Sequence, residues 1–125
     1  MLIISQNATN YDLVFPKDTI LRINLAWCNS LEELEINLKK QLKNEIFIDL
    51  PIGRIKPPNN RYTLNEIIPI LDFYKNIKYF AVSNVEDESD LDEFVELIPK
   101  NVTIVPKIES PNGVRNIKKI IEKLN

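Results

Sequence analysis

Two residues near the C-terminus carry the clearest chemical signal in this sequence. Lys107 and Glu109 follow the apolar run Thr103-Ile104-Val105-Pro106. At i and i+2 of an extended segment, their side chains point to the same side. A cation and an anion sharing one face at the carboxyl end of a strand stand where parallel α/β proteins place their chemistry. The same spacing also suits a surface ion pair of little energetic weight. Four more polar residues close or follow apolar runs: Arg22 and Asn24, Asp49, and Ser83. Together the six give two cations, two carboxylates and two small polar groups. The sequence has no histidine, so a neutral-pH imidazole base or ligand is excluded. Such a set suits an anionic, oxygen-rich substrate held through Mg²⁺, which prefers carboxylate and substrate oxygens. Arginine supplies bidentate recognition of phosphate or carboxylate, and a lysine above a developing negative charge stabilises it electrostatically.

These residues need strands to hold them and helices to carry the chain back. Leu2-Ile3-Ile4 is a short apolar run suited to a first strand. Residues 6–18 are polar, with Asn7, Asn10, Asp12 and Pro16 as turn formers. Thr19 to Trp27 alternates, Ile20, Arg22, Asn24 and Ala26 on one face and Leu21, Ile23 and Leu25 on the other. Such alternation fits a barrel strand with ligand-end polar residues, or a half-buried antiparallel strand with a wet face. Ser30 with Glu33 forms a capping box, and Leu31, Leu34, Leu38 and Leu42 behind it predict one buried helical stripe ending at Asn44. Glu45–Leu50 predicts the next strand, and Pro51, Gly53, Pro57 and Pro58 the loop after it. Thr63 with Glu66 opens a second helix on Leu64, Ile67, Ile68, Leu71 and Tyr74, with a kink or late start expected at Pro69.

Lys78–Ser83 predicts a fourth strand, followed by a helix capped at Asp87 or Ser89 that buries Leu91, Phe94, Val95 and Ile98. The acidic run Glu86–Asp90 suits that helix start better than a Ca²⁺ loop, since it lacks the loop's glycine and closing glutamate. Val102–Lys107 predicts the last strand. Ser110 and Pro111 then start a final helix buried through Val114, Ile117, Ile121 and Leu124. Gly113 fits a close backbone approach or a positive φ. The order β, β, α, β, α, β, α, β, α is that of βαβ units with a parallel sheet.

Composition narrows the function classes. The chain has 125 residues and a net charge of −2, the size of one domain and no electrostatic footprint for nucleic acid. No apolar run approaches the ~20 residues of a membrane span, and Met1–Ile4 is too short for a signal-peptide core. The single cysteine, Cys28, excludes an internal disulfide and fits a reducing, cytoplasmic compartment.

The run Pro106-Lys107-Ile108-Glu109-Ser110-Pro111-Asn112-Gly113 resembles the Lys-Ile-Glu-Asn-x-x-Gly motif of the pyruvate kinase family. Leu21-Arg22-Ile23-Asn24-Leu25-Ala26 is similar to that family's Arg-x-Asn-x-Ser strand. Phe47-Ile48-Asp49-Leu50 is similar to its Leu-Asp-Thr/Leu strand end, and Ala81-Val82-Ser83 to the start of its Ser-Phe-Val-Arg segment. The resemblance implies that Lys107 is the catalytic cation over the transferred phosphoryl group and Glu109 a Mg²⁺ ligand. It implies that Arg22 touches the phosphoenolpyruvate phosphate as a catalytic and substrate-binding residue, with Ser83 also binding substrate. Asn24 and Asp49 become ligands of a K⁺ ion. The implied reaction is phosphoryl transfer between phosphoenolpyruvate and ADP, giving pyruvate and ATP.

Departures from the family pattern are equally specific. Ala26 lacks the hydroxyl of the cation-site serine, Trp27-Cys28 replaces Ser-His-Gly, and Asn84-Val85-Glu86 replaces Phe-Val-Arg. The loop Pro51–Tyr62 stands where the family inserts a lid domain, so phosphoryl transfer is not expected from this piece alone. The expected fold is one domain over residues 1–125: parallel (β/α) repeats forming about five strands of a TIM barrel. Since a whole barrel needs ~250 residues, the sequence is either part of a longer protein or one of two copies that complete each other. A Mg²⁺-dependent lyase acting at a C–C bond beside a pyruvate enolate is a second reading, since Ile108-Glu109-Ser110 fits that class's Ile-Glu-Thr/Ser motif as well. A non-catalytic barrel remnant is the third.

Overall fold

Period-two apolar runs and capped amphipathic segments alternate along the chain, and the backbone follows them. A computed structural model describes residues 2–6 and 11–125. Five strands form one sheet in sequence order: β1 (Leu2–Gln6), β2 (Thr19–Asn24), β3 (Glu45–Leu50), β4 (Ile77–Val82) and β5 (Thr103–Pro106). Every neighbouring pair is parallel. The intervening helices are α1 (Leu31–Lys40), α2 (Leu64–Phe73), α3 (Asp92–Leu97), α4 (Pro111–Arg115) and α5 (Ile117–Leu124). The chain is thus an α/β protein with a parallel sheet. Asn7 and Asn10, expected as turn formers, lie outside the described residues.

One face of the sheet makes the core. Leu21, Ile23, Ile46, Ile48, Leu50, Phe80 and Val82 are buried, and they join Leu34, Leu38, Ile67 and Leu71 from α1 and α2 in one cluster. The opposite face carries Arg22, Phe47 and Tyr79, all half-buried; the two rings stack with centroids 5.9 Å apart. Register places Asn24 beside Asp49, Asp49 beside Ala81 and Ala81 beside Val105, so one row crosses the sheet just before its carboxyl end.

Local capping chemistry sets the helix starts. The Ser30 hydroxyl accepts the Glu33 N–H at 3.1 Å, and the Thr63/Glu66 box opens α2. The Ser110 hydroxyl accepts the Gly113 N–H at 3.2 Å, with Pro111 at the first helical position. Asp90 Oδ2 accepts the Glu86 and Asp87 N–H groups at 2.9 and 3.0 Å, so the acidic run is a helix-start structure.

Several expectations are corrected. β2 ends at Asn24 rather than Trp27, because the Asn24 side chain accepts the Ala26 N–H at 2.9 Å and turns Leu25–Trp27 into a 3₁₀ segment. α1 ends at Lys40 rather than Asn44, which leaves Leu42 exposed. α2 starts at Leu64 and runs through Pro69 without a late start. Val95 is exposed, since α3 is preceded by a separate 3₁₀ turn over Glu88–Leu91 that changes its phase. The final helix breaks at Asn116, whose side chain donates to the Glu86 carbonyl at 2.9 Å. The break rotates the following turn, so Ile120 is buried while Ile117 and Ile121 are exposed; Val114, ahead of the break, is exposed as well. Gly113 serves close approach: a Cβ there would lie 2.6 Å from the Val85 carbonyl oxygen.

Candidate functional site

Alternation along β2 and β3 puts Arg22, Asn24 and Asp49 on the face away from the core, and the carboxyl end of the sheet gathers the rest. Lys107 lies just beyond β5, where its N–H donates to the Val82 carbonyl at 2.8 Å and its carbonyl accepts the Val85 N–H at 3.1 Å. These bonds continue the β4–β5 pairing past the strand and fix where the lysine side chain leaves it.

Asp49 is the centre of the site. Its side chain is fully buried, and Arg22 Nη2 donates to Oδ2. Lys107 Nζ donates to Asp49 Oδ2 at 3.1 Å and to Oδ1 at 3.3 Å. A lone buried carboxylate is costly, and two cations with charge-assisted hydrogen bonds offset that cost. Lys107 Nζ also stands 3.8 Å from Glu109 Oε1. The i, i+2 geometry read from the sequence therefore places cation and anion side by side.

A pocket of about 240 Å³ opens over this network. Arg22, Asn24, Ser83, Lys107 and Glu109 line it, so five of the six sequence-derived site residues face it and Asp49 lies beneath, bonded to two of them. Ser83 is 7% exposed, and its hydroxyl has no hydrogen-bond partner among the described residues. A buried hydroxyl without a partner at the wall of a polar pocket is suited to a ligand oxygen. Asn24 spends its Oδ1 on the Ala26 N–H and so acts locally as a cap.

The opposite wall was not legible as part of the site. Pro51, Ile52, Gly53, Arg54, Ile55 and Lys56 close the pocket from the loop after β3. Asn84 ties that loop in: its side-chain N–H donates to the Ile52 carbonyl at 2.7 Å, and its backbone N–H to Glu109 Oε2 at 2.7 Å. The only advance signals were Gly53 as a loop residue and Asn84 as a departure from the family's Phe-Val-Arg run, and neither indicated a contact.

The donor set fits Mg²⁺ in a limited way. Glu109 is 42% exposed at its side chain, lines the pocket, and is oriented by the Asn84 N–H. Mg²⁺ commonly takes one or two carboxylates and completes its shell with substrate and water oxygens. Among the described residues no group of three or more His, Cys, Asp or Glu stands together, so Glu109 could hold the ion only jointly with a substrate. The expected K⁺ site fits less well. Asp49 offers both oxygens to cationic donors and Asn24 Oδ1 is taken, so K⁺ between them would sit against Arg22 and Lys107. As arranged, these residues do not fit K⁺.

Comparison with known proteins adds the fold. No family model matches the chain, and no curated protein matches it. Among solved structures it is similar to RipC from Yersinia pestis, at 17% identity and a TM-score of 0.53, over 98% of this chain and 51% of that one. At that identity the likeness concerns the fold alone. The chain spans about half the length of RipC.

Proposed function

We propose that this chain is the front half of a pyruvate kinase-like (β/α) barrel in the cytoplasm. On this reading it binds a small anion of the phosphoenolpyruvate or pyruvate class for phosphoryl transfer with ADP. One observation carries the reading: Arg22, Asp49 and Lys107, separated in sequence, share one buried ion network beneath a polar pocket at the carboxyl end of a parallel sheet. The sequence resemblance at Lys107 and Glu109 supports it independently.

In this proposal Asp49 holds Arg22 and Lys107 in place, so their positive charge is directed at the pocket before a ligand arrives. Arg22 binds the phosphate or carboxylate of the ligand, and Lys107 stabilises negative charge on the oxygen left or taken by the phosphoryl group. Ser83 donates its hydroxyl to a ligand oxygen. Mg²⁺, when bound through Glu109, would neutralise charge shared between substrate oxygens. The loop after β3 is short and latched, so a large lid over a nucleotide is not supplied by residues 51–62. For that reason complete transfer needs residues beyond this segment, or a second copy completing the barrel.

The short loop also favours a second reading, a Mg²⁺-dependent lyase acting beside a pyruvate enolate, which needs the same Arg, Lys and carboxylate but no ADP. ADP dependence separates the two. In protein purified from its native source, pyruvate release from phosphoenolpyruvate that requires ADP and yields ATP supports the kinase. Cleavage of a C–C bond to pyruvate without ADP supports the lyase. Absence of both reactions, with no binding of either small anion, overturns the enzymatic reading.

A further inference from the structure

The pocket carries more positive charge than its floor requires. Arg22 and Lys107 are balanced in part by Asp49 and Glu109, but Arg54 and Lys56 also line the cavity. Among the described residues neither of these two has a carboxylate within ion-pair distance. Arg54 Nε donates to the Lys56 carbonyl at 2.9 Å, which orients the guanidinium and leaves its terminal nitrogens without a hydrogen-bond partner among the described residues. Such a fork matches a carboxylate or phosphate.

Asn84 ties down the loop that carries Arg54. Asn84 itself adopts φ 56, a left-handed conformation that asparagine tolerates better than most side-chain-bearing residues. In that conformation its backbone N–H reaches Glu109 and its side chain reaches Ile52, bridging the two walls of the pocket. Gly53, next to Ile52, has φ 73, and a Cβ there would stand 3.0 Å from Asn84 Nδ2. Glycine is favoured by the positive φ, and it leaves room for the Asn84 amide.

We propose that Asn84 is the positioning residue of this site: it latches the 51–56 loop across the pocket so that Arg54 takes a second anionic group of the ligand. The ligand class is then a small molecule with two anionic groups, such as a phosphorylated carboxylate, one on the Arg22–Lys107 floor and one at Arg54. The inference rests on the anion-binding reading above and deepens it.

The test is calorimetric titration of the whole chain with inorganic phosphate and with phosphoglycolate, with melting temperatures measured alongside. Wild type should bind phosphoglycolate about tenfold tighter than phosphate, the order expected for one additional charged hydrogen-bonded contact. Asn84→Gly keeps the left-handed backbone and removes the tether, while Arg54→Ala removes the fork. Each should abolish most of the preference for phosphoglycolate over phosphate and leave the melting temperature near wild type. Retention of the wild-type preference in these variants overturns the inference, as does a parallel loss of both affinities together with melting temperature. Wild type binding neither probe overturns the anion-site reading as well; Lys107→Met weakening both probes would leave that reading standing by itself.

Discussion

Lys107 Nζ lies 3.1 Å from Asp49 Oδ2, a contact that joins the ends of β3 and β5 across 58 residues of sequence. β4 lies between these strands, so the ion pair spans its carboxyl end and ties three strands at the place where the pocket opens. The contact is structural and, on the proposed reading, functional as well, and the two roles can be separated by substitution.

Removing the carboxylate tests the structural role. Asp49→Ala leaves Arg22 and Lys107, each 27% exposed at the side chain, facing one another without the buried anion. Loss of one partner of a fully buried pair costs about 3–5 kcal/mol, and the partial exposure of the cations reduces this to roughly 2–3 kcal/mol. Thermal melting should fall by about 10 °C. A melting point within a degree or two of wild type would show that Asp49 does not organise the site.

Replacing the lysine tests the other role. Lys107→Met keeps the aliphatic stem and the backbone bonds to Val82 and Val85. On the proposed kinase reading it should abolish phosphoryl transfer. Turnover near wild type would remove Lys107 from the reaction.

Close packing at the next turn gives a purely steric prediction. Gly113→Ala would put a methyl 2.6 Å from the Val85 carbonyl oxygen and 2.9 Å from Ile108 Cγ2. Overpacking of this kind costs about 1–3 kcal/mol. Chemical denaturation should show a lower midpoint at unchanged slope.

How much of this was readable in advance follows from the range of the forces involved. The strands and caps were legible because they depend on neighbours within a few positions: Ser110 with Gly113, Thr63 with Glu66, Glu45–Leu50 by its alternation. The six polar residues were legible as strand-end positions, and register then brought them to one end of the sheet. Helix phase was not. Val114, Ile117 and Ile121 have helical spacing, yet the Asn116–Glu86 bond interrupts the helix and turns Ile117 and Ile121 outward. Nor did sequence indicate that Asn84 bridges Ile52 and Glu109, because nothing local relates those three positions.

Stability should also fall in alkali. Burial, with the Glu33 carboxylate adding to it, pushes the Cys28 thiol up to about 11. Burial likewise raises Tyr11, Tyr62 and Tyr74. In the unfolded chain a thiol titrates near ~8.5. The unfolded state thus releases its proton first, and the stabilisation is fully present below that pH and lost as pH rises through about 11. The Cys28 share is on the order of 3 kcal/mol. Denaturation midpoints measured between pH 8 and 11 should decline, and the decline should shrink in Cys28→Ala. An equal slope in that variant would assign the alkaline loss to the tyrosines alone.

On the proposed reading the pocket is a site for a small anion shared with Mg²⁺ through Glu109. The most direct test is titration of the chain with oxalate, with and without Mg²⁺, in wild type and Glu109→Gln. The account predicts oxalate binding that tightens by about tenfold or more with Mg²⁺, and loss of that gain in the variant. Oxalate binding indifferent to Mg²⁺, or a Mg²⁺ effect unchanged in Glu109→Gln, would contradict it.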